Sequence, residues 1–116
     1  MYQFSGRVIT GEGRGKKIGF PTANIDNQSL NLNYGVYLVE LLIGAEKTYY
    51  QGLLHFGPKK TFNDIISTEI FIDKFSKEIY GQNLKIKVVK KIRNIKKFKN
   101  LEDLIRQMNR DKEYLK

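Results

Sequence analysis

The sequence predicts an all-β fold, a closed antiparallel barrel carrying one α-helix at its C-terminal end. Three features point there. Five short segments are rich in β-branched and aromatic residues, the glycines fall singly between apolar stretches, and one late segment changes its apolar period from two to three and four. Several short strands with a single late helix favour a barrel over an α/β arrangement.

The strand segments are Phe4–Thr10, Val36–Ile43, Lys47–Leu54, Thr68–Phe75 and Leu84–Ile92. In the last of these, Leu84, Ile86 and Val88 share one face while Lys85, Lys87 and Lys91 share the other, the alternation of a half-buried strand. Tyr80-Gly81-Gln82-Asn83 before it has turn chemistry. After Asn100, a helix N-cap with Asp103 three residues on, Leu101, Leu104, Ile105 and Met108 recur at helical spacing. They predict an amphipathic helix laid against the barrel.

A chain of 116 residues with 41% apolar content suits one domain with one core, residues 1–116, and is too short for two. There is no internal repeat, low-complexity tract or linker. No apolar run reaches the roughly 18 residues of a membrane span. The N-terminus, Met1-Tyr2-Gln3-Phe4-Ser5, lacks the regions of a signal peptide, so a cytoplasmic location is expected. Without cysteine, disulfides and thiolate metal sites are excluded. The formal charge of +9 has three explanations: nucleic acid, an anionic nucleotide, or a Lys-rich solvated surface. Lys outnumbers Arg heavily, which favours the surface, because bidentate phosphate and guanine readers are more often Arg.

The stretch with most chemical content runs from Thr10 to Asn24, with Gly11, Gly13, Gly15 and Gly19 among Arg14, Lys16 and Lys17. So glycine-dense a loop needs positive φ or the close approach of another group to its backbone. Phosphate suits it, because freed N–H groups and three cationic side chains stand together. The spacing is neither GxxxxGK[ST] nor a GxGxxG opening a helix, and a hairpin loop without a ligand has a similar composition. Pro21-Thr22-Ala23-Asn24 then sets a hydroxyl and an amide oxygen two residues apart, on one side of an extended segment. Two neutral oxygens can hold one face of a magnesium ion; a Thr and an Asn that cap a turn are the plainer alternative.

Glu69 alternates away from Ile70 and Ile72 and shares its face with Phe71 and Asp73. A carboxylate fixed on a strand can act as general base toward a hydroxyl; it can equally do no more than solvate the barrel's outer face. His55 is the only histidine and, by type alone, reads as a surface or packed residue.

Taken together these segments resemble riboflavin kinase, both the stand-alone eukaryotic enzymes and the C-terminal domain of bacterial bifunctional FAD synthetases. The most specific part, Gly15-Lys16-Lys17-Ile18-Gly19-Phe20-Pro21-Thr22-Ala23-Asn24, looks like the family's GRxxGFPTAN motif with Lys16 for the usual Arg. Gly35-Val36-Tyr37, Thr68-Glu69-Ile70, Asp73, Phe75, Tyr80-Gly81, Ile92-Arg93, Phe98, and Leu104, Gln107 and Asp111 follow in family order. One segment departs: the family's NIGxRPT is replaced by His55-Phe56-Gly57-Pro58-Lys59-Lys60-Thr61, which puts the contacts made there in doubt.

The resemblance implies a six-stranded antiparallel Greek-key barrel with a C-terminal helix, binding ATP and riboflavin at adjacent ends of a cleft. It assigns nucleotide binding to Gly11, Gly13, Gly15, Lys16, Lys17, Gly19, Pro21, Thr22 and Asn24, and Mg2+ to Thr22 and Asn24. Glu69 matches the base that activates the ribityl hydroxyl, and Arg93 and Phe98 match a flap over the flavin. It implies ATP-dependent phosphorylation of riboflavin to FMN by a monomer with small-molecule substrates and no membrane or nucleic-acid partner. An adenylyltransferase domain is a further partner if the chain is a fragment. The rival readings are a flavin- or nucleotide-binding module without catalysis and a basic β-barrel that binds nucleic acid.

Overall fold

In a computed structural model, residues 2–9, 22–59, 65–75 and 77–115 are described. The strands are β1 (Gln3–Ile9), β2 (Ala23–Ile25), β3 (Gly35–Ile43), β4 (Tyr50–Lys59), β5 (Ile65–Ile72) and β6 (Asn83–Arg93), followed by helix α1 (Leu101–Lys112). They close into a barrel in the order β1-β2-β5-β4-β3-β6, every neighbouring pair antiparallel. Strands β3, β4 and β5 are consecutive neighbours and β6 returns to lie beside β3, which is the Greek key. The expected all-β barrel with a terminal helix is therefore the architecture observed, and closure leaves no edge strand exposed.

Alternation puts one set of side chains inside. Val8, Ile25, Leu54, Ile70, Leu84 and Ile86 are buried in a single cluster with Tyr37, Val39 and Leu41. Burial pushes the Tyr37 phenol pKa up, and its hydroxyl donates to the Asn33 carbonyl at 2.7 Å. Thr68, 1% exposed, also points inward and donates from Oγ1 to the Asn27 carbonyl at 2.6 Å, tying the chain beyond β2 to β5.

Several boundaries differ from the sequence reading. Strand β4 begins at Tyr50, not Lys47, and continues past Leu54 to Lys59, with Pro58 opposite Ile66. Proline near the end of a strand removes one donor without breaking the ladder's direction, so it marks no stop here. Strand β5 starts earlier, at Ile65, and ends at Ile72, where Lys74 turns the chain with φ +55°; Asp73 and Phe75 lie beyond it. Strand β2 is a strand the alternation did not reveal. Between β3 and β6 the register shifts at Val36/Tyr37 and again at Leu38/Val39. These irregularities break the alternation of β6 past Val88, so that Lys91 pairs with core-facing Tyr37 instead of continuing the face of Lys85 and Lys87.

Gly57 holds φ +152°, and a Cβ there would meet Ile95 Cγ1 and Tyr34 Cβ, each at 3.2 Å. The glycine thus lets the segment after β6 close on β4. Helix α1 starts as expected: Asn100 Oδ1 accepts from the Asp103 N–H at 2.9 Å, with acidic residues in the first turn and basic ones in the last. Leu101, expected on the apolar face, is exposed; Leu104, Ile105 and Met108 are half-buried. Among the described residues no helix is long and apolar enough to cross a membrane.

Candidate active site

The register of the barrel aligns one row of residues across its strands. Ile9 on β1 faces Asn24 on β2, Asn24 faces Glu69 on β5, Glu69 faces His55 on β4, His55 faces Val36 on β3, and Val36 faces Arg93 on β6. Their neighbours along the strands, Val8, Ile25 and Phe56, point into the core, so this row points outward. Residues directly opposite have Cβ atoms about 4.5–5.5 Å apart, so each side chain can touch the next.

Asn24 and Glu69 are therefore immediate neighbours on the outer face, at the end of the barrel where the Thr10–Pro21 segment joins β2. Both are half-buried. Thr22 precedes the strand by one residue and is also half-buried. Gly11, Gly13, Gly15, Lys16, Lys17, Gly19 and Pro21 lie outside the described residues. The Asn24 amide and the Thr22 hydroxyl are oxygen groups of the hard kind that could hold magnesium. No group of three His, Cys, Asp or Glu side chains among the described residues forms a metal cluster by itself.

The outer face next to this row is not open. Leu38 and Leu53 face each other and are buried, and Leu53 faces Phe71 on β5, two residues from Glu69. The Lys112 ammonium at the end of α1 lies 5.6 Å from the Phe71 ring centroid, placing the helix terminus beside the strand that carries Glu69.

Arg93 fixes the helix from the other side. Its Nε donates to both carboxylate oxygens of Asp111, at 3.0 and 3.1 Å, its Nη2 donates to Oδ2 at 2.8 Å, and Nη1 donates to the Asn94 carbonyl at 3.1 Å. Gln107 adds a donor to Asp111 Oδ1 at 2.9 Å, and the Lys96 ammonium donates to Gln107 Oε1 at 3.0 Å. The guanidinium that the resemblance assigns to the flavin flap is paired with a carboxylate of the helix. Phe98, in the segment between β6 and α1, is half-buried.

Two relationships escaped the sequence reading. His55 stands beside Glu69, visible only once β4 and β5 are paired. Asp111 as the partner of Arg93 left a faint trace: an acidic residue in the last turn of a helix, where the dipole favours cations, needs a local reason.

Comparison with known proteins decides the family. The family model described as Flavokinase: Riboflavin kinase matches residues 1–116. The chain belongs to the riboflavin kinase family. It is 35% identical over 113 residues to the RNA-binding riboflavin kinase RibR of Bacillus subtilis, covering 96% of this chain and 48% of that protein. It is 37% identical over 121 residues to the bifunctional riboflavin kinase/FMN adenylyltransferase of the same organism, covering 97% of this chain and 37% of that one. Among solved structures, one titled a macrolide-efflux protein from Streptococcus pneumoniae superposes with a TM-score of 0.81 at 29% identity, over 96% of this chain and 37% of its own. The chain spans less than half the length of these curated relatives. Riboflavin kinase membership agrees with the closed six-stranded barrel and its C-terminal helix.

Proposed function

We propose that this chain transfers the γ-phosphoryl group of ATP to the ribityl 5′-hydroxyl of riboflavin, giving FMN and ADP. The observation that carries the reading is the direct opposition of Asn24 and Glu69 across β2 and β5, in a chain of the riboflavin kinase family. A phosphate-positioning group and a base must meet at one point, because phosphoryl transfer depends on alignment and charge neutralisation.

In this reading Glu69 takes the hydroxyl proton. The loop residues Gly11, Gly13, Gly15, Lys16, Lys17, Gly19 and Pro21 bind the nucleotide together with Thr22 and Asn24. Thr22 and Asn24 also hold Mg2+, which when bound neutralises phosphate charge. Arg93 and Phe98 border the flavin, and the Arg93–Asp111 pair holds their segment in place. Residues 1–116 act as one kinase domain, located in the cytoplasm, either alone or joined to an adenylyltransferase.

Incubation with riboflavin, ATP and Mg2+ tests the reading: FMN is the expected product. Absence of FMN across divalent metals and flavin redox states, with flavin binding intact, would select the second reading, a binding module without turnover. The altered segment from His55 to Lys60 is the feature that favours that alternative.

A further inference from the structure

One departure from the family segment falls beside the proposed base. His55, the first residue of the stretch that replaces NIGxRPT, lies directly opposite Glu69, while Glu69 faces Asn24 on its other side. The carboxylate is therefore flanked by an imidazole on β4 and an amide on β2.

Among the strand positions beside His55, the register offers it polar neighbours on β5 alone. On the outer face its neighbours along the strand are Leu53 and Gly57, and its partner on β3 is Val36, none with a polar side chain. Across β5 stand Glu69 and, diagonally, the Ser67 hydroxyl. Glu69 is the one charged group in that set, and both members of the facing pair are half-buried, where hydrogen bonds gain strength from a lowered dielectric.

We propose that His55 is a positioning residue for Glu69, its imidazole N–H holding one carboxylate oxygen so that the other is aimed at the substrate hydroxyl. This rests on Glu69 being the base. In that step the hydroxyl O–H bond breaks and its proton passes to the free Glu69 oxygen. The hydroxyl oxygen's electron pair then forms the bond to the γ-phosphorus as the bond to the ADP oxygen breaks. Imidazole suits the task better than Lys or Arg. Lys and Arg would set a fixed cation beside the carboxylate and weaken it as a base, whereas an imidazole offers an N–H donor on a short, stiff side chain.

The test is a double-mutant cycle on the folded protein. His55→Leu and His55→Ala remove the donor, and either one that folds by circular dichroism serves; His55→Asn returns an N–H donor. The expected result is a fall in kcat of about 10- to 100-fold for the donor-free variant, the usual scale for a lost orienting partner, with KM for riboflavin and ATP within about threefold. His55→Asn should recover most of that loss. Combined with Glu69→Gln, the donor-free substitution should slow the enzyme no further, because His55 acts only through that carboxylate. Losses that multiply in the double variant, or an unchanged kcat in the donor-free one, overturn the proposal. If Glu69→Gln alone leaves kcat unchanged, the base assignment fails, and the positioning role fails with it.

Discussion

Arg93 and Asp111 form a three-bond ion pair between the last residue of β6 and the last turn of α1, with side chains only 14% and 5% exposed. The carboxylate also accepts from Gln107, so almost all of its lone-pair capacity is used. This pair joins the helix to the barrel at the edge of the row that contains Glu69 and Asn24.

Removing one partner leaves a charge buried without compensation. Asp111→Ala should therefore lower unfolding free energy by about 3–5 kcal/mol, measured by urea titration. Arg93→Lys, which keeps the charge but loses the planar fork, should fall between wild type and Asp111→Ala. An Asp111→Ala loss below about 1 kcal/mol would place the pair among surface bridges.

Glu69→Gln retains the shape and much of the hydrogen bonding of the site while removing the proton acceptor. Turnover should fall by about 10²- to 10⁴-fold, with flavin and nucleotide affinity unchanged by fluorescence quenching. A variant that turns over at the parent rate excludes Glu69 as base.

Asn24→Leu removes the oxygen and keeps the approximate volume. The Mg2+ concentration giving half-maximal rate should rise at least tenfold, while riboflavin affinity measured without nucleotide stays put. Loss of riboflavin affinity with an unchanged metal requirement would move Asn24 from the phosphate side to the flavin side.

Thr68→Val deletes the buried hydroxyl bonded to the Asn27 carbonyl without changing side-chain volume. It leaves that acceptor without its donor and should destabilise the barrel by about 1–3 kcal/mol in chemical denaturation. Because Thr68 precedes Glu69 and Asn27 follows Asn24 by three residues, hydrogen exchange of β2 amides should accelerate more than that of β3 amides.

Much of the fold was legible because the first half of β6 alternates cleanly, β3 is dense in β-branched and aromatic residues although most of it is buried on both faces, and the switch of period after Asn100 marks the helix. What escaped has definite causes. Strand β2, at three residues, is too short to show any period, and its pairing depends on neighbours distant in sequence. Pro58 and Gly57 resemble a strand stop, yet β4 continues through them. At the site, residue types flagged Thr22, Asn24 and Glu69, but that Asn24 and Glu69 face each other follows from β2 lying next to β5, which no local pattern encodes. The pairing of Arg93 with Asp111 shows in no local pattern, because the carboxylate lies 18 residues away on another element.

The brevity of β2 has a consequence for how the barrel breathes. Among the described residues its ladder pairs are Val8–Ile25 and Ile9–Asn24 with β1 and Ala23–Ile70 and Asn24–Glu69 with β5, continued by the Asp26 N–H donating to the Arg7 carbonyl at 2.8 Å, so it is the shortest described seam in the wall. Parting that seam disrupts fewer ladder bonds than parting any longer strand, and local opening selects the least costly route. The stave that bears Asn24 is thus the one the barrel can most cheaply loosen, letting the rim yield while the cylinder behind it stays shut.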